Sequence, residues 1–487
     1  MILQHPPLLR TNAFINGTWR EARTGNTFPV VNPYDYSPLA MVPDMNSSDT
    51  LDAIDAAEKA FPIWKSHTAG ERATILRRWY DLQIQHQEDL AVILTAEQGK
   101  PLPEARGEIA YGASFIQWFA EEARRAYGDV IPGQSRDKRI LALKQPVGVV
   151  AAITPWNFPN AMITRKVAPA LAAGCTVVVK PAEDTPLSAL ALAYLAEMAG
   201  FPPGVLNVVT TSQPAGVGAI LTESPLVRKL SFTGSTATGK YLMRQCAATV
   251  KKLSLELGGN APFIVFDDAD IDAAVEGAIA SKYRNAGQTC VCANRLFVQA
   301  QVYDIFTQKL SEAVQNLKPG YGMDHGVSIG PLINAAAMHK VERLIQDARD
   351  KGANIVTGGK RWNNLPNFYE PTVITGVSQQ MDMCHEEIFG PVAPVSVFHT
   401  EEEAIALAND TPYGLAAYFY GKDYARIWRV AEALEYGMVG VNTGLISTAE
   451  APFGGVKESG FGREGSHYGM EEYLNVKYVC LGGINSL

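Results

Sequence analysis

The chain has 487 residues, which is too long for one typical domain and enough for two or three. Its 42 basic and 50 acidic residues give a formal net charge of −8, which makes polyanions such as nucleic acid, and anionic membrane surfaces, poor partners. A charged fraction of 19% beside 47% apolar residues is typical of a folded globular protein. We therefore expect no nucleic-acid partner and no membrane partner.

Cysteine usage and the chain start bear on the compartment. Six cysteines are too sparse for a disulfide framework and indicate a reducing compartment. The most apolar stretches, such as residues 187–199, are broken by Glu, Pro or Gly before they reach a membrane-spanning length. The first residues lack the basic and apolar regions of a signal peptide. These features predict a cytoplasmic protein.

The first part of the chain, residues 48–126, has the apolar spacing of helices. Three helical runs are predicted: one through Leu51 and Phe61, one over 71–96 and one over 104–126. From Gln145 onward, short apolar runs alternate with helical ones. The predicted strands are 147–154, 175–180, 205–210, 229–232 and 253–257, and the predicted helices are 161–173, 186–199, 215–222 and 236–248. This alternation predicts a parallel, doubly wound sheet.

A second α/β unit is predicted after the glycine pair at 258–259 and extends to about residue 455. Its first strands are expected at 263–266 and 295–299, and its first helices at 271–283 and 302–317. The apolar and aromatic run at 478–481 predicts an edge strand that is donated to a partner subunit.

Residues 285–294 form a polar loop that contains Cys290 and Cys292 at a predicted helix-to-strand junction. A thiol in such a loop can be partly exposed among backbone N–H donors, which favours the thiolate. None of the eight histidines lies nearby in the sequence, so a papain-like hydrolase is disfavoured and a carboxylate base is expected. The other cysteines are predicted to be buried packing residues: Cys175, Cys246, Cys384 and Cys480.

Two further residues are candidates for this chemistry. Glu256 is an acid in an otherwise apolar strand, where burial would raise its pKa towards that of a general base; the alternative is a structural ion pair. Asn157 lies in Pro-Trp-Asn-Phe-Pro at 155–159, where two prolines fix the backbone. Its amide is therefore a candidate oxyanion donor, with a rigid turn around a packed Trp as the alternative.

A glycine-containing segment at 232–240 follows a predicted strand and opens a helix, as phosphate-binding segments do. It spells G-x-x-x-x-G-K from Gly234 to Lys240, but Tyr241 stands where a P-loop has the Ser or Thr that binds Mg²⁺. The strand ending at Asp267 is similar to a Walker B strand. A nucleotide hydrolase therefore remains an alternative, and a G-x-G-x-x-G fingerprint is absent.

Five motifs, in this order, resemble the aldehyde dehydrogenase superfamily. They are Pro-Trp-Asn-Phe-Pro at 155–159, Phe-Thr-Gly-Ser at 232–235, Glu-Leu-Gly-Gly at 256–259, Gly-Gln-Thr-Cys at 287–290 and Glu-Glu-Ile-Phe-Gly-Pro at 386–391. The segments 163–166, 283–294 and 444–447 are most similar to succinate-semialdehyde dehydrogenases. The resemblance implies a doubly wound Rossmann-like cofactor domain, a second α/β catalytic domain and a small β oligomerisation flap.

The same resemblance implies domain boundaries. Residues 1–126 and 147–258 are expected to form the NAD-binding domain, and residues 259–457 the catalytic domain. Residues 127–146 and 474–487 are expected to be oligomerisation segments of a homodimer or homotetramer.

In this family pattern, Cys290 attacks the aldehyde, and Asn157 with the Cys290 backbone N–H stabilises the oxyanion. Hydride transfer then leaves a thioester, and Glu256 activates the water that hydrolyses it. The implied reaction is the NAD(P)-dependent oxidation of succinate semialdehyde to succinate. Glutarate semialdehyde, or a broader range of aldehydes, is the alternative substrate.

The resemblance also assigns binding residues and implies no metal. Arg165, Arg284 and Ser447 are expected to bind the distal carboxylate of the substrate, and Cys292 is a possible redox partner of Cys290. Glu183 would accept from a ribose 2′-OH and repel a 2′-phosphate, which favours NAD, although Lys180 could tolerate NADP. The expected cofactor-binding residues are Thr154, Pro155, Trp156, Lys180, Ala182, Glu183, Gly234, Ser235, Leu257, Glu387 and Phe389.

Overall fold

A computed structural model describes residues 1–363 and 365–484. The N-terminal elements are β1 (Ala13–Ile15), β2 (Thr18–Arg20), β3 (Thr27–Val31), β4 (Pro38–Pro43), α1 (Ser47–Ser66), α2 (Ala69–Gln85), α3 (Gln87–Gln98), α4 (Leu102–Glu122), β5 (Asp129–Ile131) and β6 (Arg139–Pro146). The alternating segment follows with β7 (Val149–Ile153), α5 (Ala161–Ala173), β8 (Thr176–Lys180), α6 (Pro186–Ala199), β9 (Leu206–Val208), α7 (Pro214–Glu223), β10 (Val227–Thr233), α8 (Thr236–Cys246) and β11 (Lys252–Glu256).

The second half has the same alternation. Its elements are β12 (Ala261–Val265), α9 (Ile271–Lys282), β13 (Ala293–Gln299), α10 (Tyr303–Gln315), α11 (Ala335–Asp350), β14 (Asn354–Thr357), β15 (Thr372–Thr375), β16 (Val392–Phe398), α12 (Glu401–Asn409), β17 (Tyr413–Gly414), β18 (Ala416–Tyr420), α13 (Tyr424–Ala433), β19 (Met438–Val441), β20 (Val456–Lys457), β21 (Gly460–Phe461), α14 (Ser466–Glu471) and β22 (Leu474–Leu481).

The first large sheet has the strand order β2-β1-β9-β8-β7-β10-β11-β21, and its five central strands are parallel. Along β7, Val150 and Ala152 pack into one hydrophobic cluster, while Val149 and Ala151 pack into another. Both faces of the sheet are therefore covered, as predicted for a doubly wound sheet. The chain leaves β7 towards β8 and returns on its other side at β10, which opens a crevice where these strands end.

The second large sheet has the order β14-β15-β16-β13-β12-β18-β19, in which only β14 runs antiparallel to its neighbour. Its strand β12 also packs on both faces, with Phe263 and Val265 on one side and Ile264 on the other. The predicted second α/β unit is confirmed by this sheet.

A three-stranded antiparallel sheet, β22-β6-β5, joins the predicted flap to the C-terminal strand. It leaves large apolar side chains exposed, including Val130 at 79% and Val476 at 71%. Residues 485–487 of the predicted C-terminal segment lie outside the described residues. Among the described helices, none has the length and apolar character needed to cross a membrane.

Two local expectations were wrong. The run predicted over 71–96 is two helices that meet at His86, whose ψ of 19° leaves the helical range. One non-helical residue hardly disturbs the apolar spacing, so the sequence does not reveal this break. Cys480 was expected to be buried, but it is exposed on β22, whereas the other three cysteines in that group are buried.

Glu97 provides a test of how the N-terminal helices stabilise the first sheet. This fully buried carboxyl group on α3, whose pKa burial raises to about 8, accepts hydrogen bonds from the backbone N–H groups of Leu187 and Ser188, at 2.7 and 2.8 Å, where α6 begins. Glu97→Ala should lower the free energy of unfolding by about 1–3 kcal/mol, because it leaves two buried donors unpaired. Glu97→Gln keeps one acceptor oxygen and should therefore lower the free energy of unfolding by less. Urea denaturation measures the free energy of unfolding of both variants, and equal losses would contradict the capping role.

Candidate active site

Two cavities meet at Cys290, which lines both of them. The first has a volume of about 260 Å³ and the second about 370 Å³. The first is lined by Lys100, Glu104, Gly107, Glu108, Tyr111, Phe158, Met162, Arg165, Arg284, Thr289, Cys290, Val291, Ser447 and Phe453. The second is lined by Pro155, Trp156, Asn157, Thr233, Gly234, Ser235, Leu257, Gly258, Cys290, Ile333, Asn334, Ala336, Ala337, Lys340, Glu387 and Phe389. A group bound to Cys290 would be in reach of both spaces.

The loop before Cys290 has an unusual backbone. Asn285 and Ala286 have φ values of 52° and 53°, in the left-handed region. Asn285 is fixed there by a hydrogen bond from its backbone N–H to Glu104 Oε2 at 2.8 Å and by one from Gln98 Nε2 to its Oδ1 at 2.9 Å. The surrounding contacts therefore determine where this loop presents Arg284 and Cys290.

Cys290 is partly exposed, as predicted, but its surroundings disfavour the expected thiolate. The pKa of the Cys290 thiol is raised to about 12, mainly by burial. The charge of Arg165 acts to lower this pKa, and the charges of Glu387 and Glu256 act to raise it. The sequence argument considered only the polarity of the loop. The tertiary environment adds desolvation and two carboxylates, so the neutral thiol is favoured.

Glu256 ends β11 and is 1% exposed. Within the described part of the chain, neither carboxylate oxygen has a hydrogen-bond partner. Burial, and then the charge of Glu464, raise its pKa well above the ordinary value. The predicted burial and the direction of its effect are confirmed, and the charge of Glu464 is a contribution that the sequence did not reveal.

Arg165 is placed on α5, all 13 residues of which are buried. Its guanidinium forms a salt bridge with Glu464, and so does the ammonium of the next residue, Lys166. Burial alone would raise the pKa of Glu464, because it disfavours the charged form. The charges of Arg165 and Lys166 outweigh this effect and lower the pKa. Sequence reasoning missed Glu464, although two adjacent cations in a buried helix signal that a carboxylate must be nearby.

The three predicted carboxylate-binding residues line one cavity. Arg165 lies 4.2 Å over the Phe453 ring, and Arg284 lies 5.4 Å from the Phe158 ring centroid. Within the described residues, Arg165 Nη2 and Arg284 Nε have no hydrogen-bond partner. Two guanidiniums with unused donors, beside the Ser447 hydroxyl, make this cavity suitable for a small anion.

Asn157 is buried at 3% exposure and lines the second cavity next to Cys290. Its Nδ2 donates to Gln288 O at 3.0 Å, which leaves the second amide hydrogen for another acceptor. Its backbone carbonyl accepts from Lys100 Nζ at 2.8 Å and from Asn285 Nδ2 at 3.0 Å. The rigid placement expected from the prolines is reinforced by these contacts.

The second cavity fits a dinucleotide, because it lies at the crevice of the first sheet beside the start of α8. Ser235 caps this helix, and its Oγ accepts from Thr238 N at 3.3 Å. A side chain at Gly234 would place a Cβ 2.4 Å from the Phe232 ring, so only glycine fits at this position. Of the predicted cofactor residues, Pro155, Trp156, Gly234, Ser235, Leu257, Glu387 and Phe389 line this space.

The remaining predicted cofactor residues lie just outside this cavity, where β7 and β8 end. Thr154 N donates to Lys180 O at 3.1 Å, and Lys180 Nζ lies 3.2 Å from Glu183 Oε2. The side chain of Glu183 is 43% exposed, while Ala182 is buried. Sequence reasoning did not identify the segment at 333–340, which lines the cavity and contributes Lys340.

The nucleotide-hydrolase alternative is wrong, since its two half-motifs belong to different sheets. Lys240 is on α8 beside the first sheet and forms a 2.7 Å salt bridge with Glu458. Asp267 follows β12 of the second sheet and pairs with Arg426 at 2.9 Å. A P-loop lysine and a Walker B acid must be available to the same phosphates, whereas here each is paired with a different charged side chain.

Cys292 is buried and its Sγ donates to Lys282 O at 3.4 Å. It lines neither cavity, and neither it nor Cys290 forms a disulfide in the structure. Closing a bond between them would require the loop to rearrange, so the redox pairing stays a prediction.

Comparison with known proteins agrees with this site. The sequence profile of the aldehyde dehydrogenase family matches residues 19–479. The chain is 61% identical to succinate-semialdehyde dehydrogenase [NADP(+)] of Escherichia coli (strain K12), over 99% of this chain and 100% of that protein. It is 60% identical to glutarate-semialdehyde dehydrogenase of Pseudomonas aeruginosa, with coverage of 99% and 100%. A crystal structure of succinate-semialdehyde dehydrogenase from Burkholderia pseudomallei superimposes with a TM-score of 0.98 at 61% identity, covering 99% of each chain. The chain belongs to the aldehyde dehydrogenase family.

The protonated state of Cys290 can be tested by alkylation. Because burial raises the thiol pKa to about 12, labelling by iodoacetamide should be slow at pH 7 and rise roughly tenfold per pH unit up to pH 9. The rate is followed by mass spectrometry of the Cys290 peptide. Cys480→Ser serves as the background, since Cys480 is the exposed cysteine. A labelling rate that is fast and independent of pH would mean that the thiolate is already present.

Proposed function

We propose that this protein catalyses the NAD(P)-dependent oxidation of succinate semialdehyde to succinate. The observation that carries the proposal is the position of Cys290 in the walls of two cavities, one with two arginines and one at a dinucleotide crevice. The names of the Escherichia coli and Burkholderia pseudomallei relatives support this substrate.

The first step is attack by Cys290 on the aldehyde carbon. The thiol passes its proton to Glu256, which is, with Glu387, one of two carboxylates whose charges act on it, and Glu256 releases this proton to solvent before the second half of the reaction. The aldehyde oxygen becomes an oxyanion, which accepts from the second Nδ2 hydrogen of Asn157 and from the Cys290 backbone N–H. Such donors are worth about 10²–10³ in kcat because they are aimed at charge that develops in the transition state.

When bound, NAD(P)⁺ supplies the hydride acceptor for the thiohemiacetal carbon. Cys290 then holds a thioester, and Glu256 takes a proton from the water that attacks it. Glu256 returns this proton to the departing Cys290 sulfur, so that the carboxylic acid and the thiol are released. Gly234 and Ser235 would hold the pyrophosphate, and Lys180, Glu183 and Glu387 the riboses. The remaining lining residues, Thr154, Pro155, Trp156, Ala182, Leu257 and Phe389, would shape the cofactor site.

The distal carboxylate of the substrate would lie between Arg165 and Arg284, with the Ser447 hydroxyl as a further donor. Glu464 already pairs with Arg165, so Arg284 carries more of the available positive charge. Glutarate semialdehyde is the second candidate, supported by the Pseudomonas aeruginosa relative. One methylene changes binding by only about 1–3 kcal/mol, so partial activity on both is expected.

Replacement of Arg284 tests the substrate. Arg284→Ala should raise KM for succinate semialdehyde roughly 100-fold, from the loss of a charged hydrogen-bonding partner, but change kcat/KM for neutral aldehydes such as propanal by less than about threefold. Arg429→Ala is the matched control, because Arg429 is an exposed arginine paired with Glu401. NADH or NADPH absorbance gives the rates, with Cys290→Ser as the blank. Equal losses on charged and neutral aldehydes would overturn the anion site.

We further propose that NAD is preferred over NADP, because the Glu183 carboxylate would repel a 2′-phosphate. The Escherichia coli relative is named as NADP(+)-dependent, so the choice of cofactor must be measured for this chain. Glu183→Ser should raise kcat/KM for NADP relative to NAD by about tenfold or more, since it removes one repulsive charge and leaves Lys180 in place. A wild-type preference for NADP would contradict the role of Glu183.

Assembly and domain division are proposals of the same kind. We infer that β22-β6-β5 joins subunits of a homodimer or homotetramer, because its exposed Ile131, Val476 and Tyr478 share one apolar face by the strand register. Residues 1–126 and 147–258 would form the cofactor domain and residues 259–457 the catalytic domain. The strand β21 qualifies this division, since it follows residue 457 and yet pairs with β11 of the first sheet.

A further inference from the structure

A buried lysine that the proposed mechanism does not use lies directly behind Asn157. Lys100 is 2% exposed and follows the glycine where α3 ends. Its Nζ donates to Asn157 O at 2.8 Å and to Glu108 Oε2 at 2.6 Å, and it lies 3.7 Å from the centroid of the Phe158 ring. The ammonium therefore contacts two consecutive residues of the loop after β7.

Glu108 connects this lysine to the helix that carries Arg165. Its second oxygen, Oε1, accepts from the backbone N–H groups of Asn160 and Ala161 at 2.9 and 3.2 Å, where α5 begins. The carboxylate thus caps α5 while it neutralises Lys100. One buried ion pair holds both ends of the short segment between Asn157 and the start of α5.

We infer that Lys100 is a positioning residue that fixes the amide of Asn157 for the oxyanion. The inference rests on the proposed function, because it presupposes the role of Asn157. The Asn157 peptide is held by two donors on its carbonyl, Lys100 and Asn285, and by one side-chain contact to Gln288. Loss of Lys100 removes the charged donor, so the peptide plane can rotate and displace the amide. A displacement of about 1 Å at a reacting site costs on the order of 10²-fold in rate.

A double-mutant cycle separates positioning from a general structural role. Asn157→Ala should lower kcat about 10²–10³-fold. Lys100→Met should lower kcat about 10–100-fold and change KM for succinate semialdehyde by less than about threefold. In the Asn157→Ala background, Lys100→Met should cost less than about threefold, because its effect passes through the amide that is already gone.

Lys229→Met is the matched control. Lys229 is a lysine with a fully buried side chain that pairs with Glu472 and contacts Ser254, and we expect its replacement to leave kcat unchanged. Since Lys100→Met leaves Glu108 without its cation, Lys100→Met/Glu108→Gln provides a second variant in which no buried charge is left unpaired. Melting temperature reports whether each variant folds.

The outcomes are distinct. If the kcat losses of Lys100→Met and Asn157→Ala multiply in the double variant, the positioning role is overturned and the proposed function is left intact. A wild-type kcat in Asn157→Ala would overturn the oxyanion assignment itself. If neither Lys100 variant folds, Lys100 is required for folding rather than for positioning, and the inference is wrong. If Lys100→Met lowers kcat only in the protein that retains Asn157, the positioning role of Lys100 is supported.

Discussion

The buried contact between Glu464 and its two cations is the constraint on which the active site depends. Arg165 and Lys166 occupy a helix with no exposed residue, and unpaired charges there would be too costly to keep. Glu464 supplies the compensating carboxylate from near the end of the chain. Its charge also reaches Glu256 and helps to raise the pKa of that acid. One ion-pair cluster therefore lies against the substrate cavity and also adds to the effect of burial on the pKa of the proposed base.

The pair formed by Lys100 and Glu108 acts on the other side of the same segment. It satisfies the Asn157 carbonyl and the first N–H groups of α5, so the loop after β7 and the helix that follows are held from one point. Burying this pair costs free energy, and the hydrogen bonds that it makes to this carbonyl and these N–H groups offset part of that cost. The resulting rigidity is what an oxyanion donor requires, since it must be in place before charge develops.

The two large sheets contribute different parts of the chemistry. Asn157 lies in the loop after β7, and Glu256 is the last residue of β11; both strands belong to the first sheet. Cys290 lies in the loop before β13 of the second sheet. The left-handed backbone at Asn285 and Ala286 turns the chain so that Cys290 faces the first sheet. The cleft between the sheets is consequently the place where a substrate group and a cofactor could both contact the same sulfur.

Much of the local structure could be predicted from the sequence. The bounds expected for α5 and α6 are those observed, because each helix is a mainly apolar run that ends at a left-handed glycine. The cavity-lining roles of Arg165, Arg284 and Ser447 were likewise anticipated from motifs. The break at His86 and the raised pKa of Cys290 could not be predicted, since each depends on what packs around the residue rather than on its neighbours in sequence.

The sequence by itself determined the strand and helix alternation after Gln145, the nucleophile and acid motifs and the resemblance to the family, because these depend on residue types at short spacing. Only the tertiary structure decided which charges face one another. Lys166 and Glu464 are 298 positions apart, and Lys100 meets a carbonyl 57 positions away. Protonation and positioning at Cys290 follow from such pairs, since the pKa of a buried group depends on desolvation and on charges a few ångströms away, which no local pattern records.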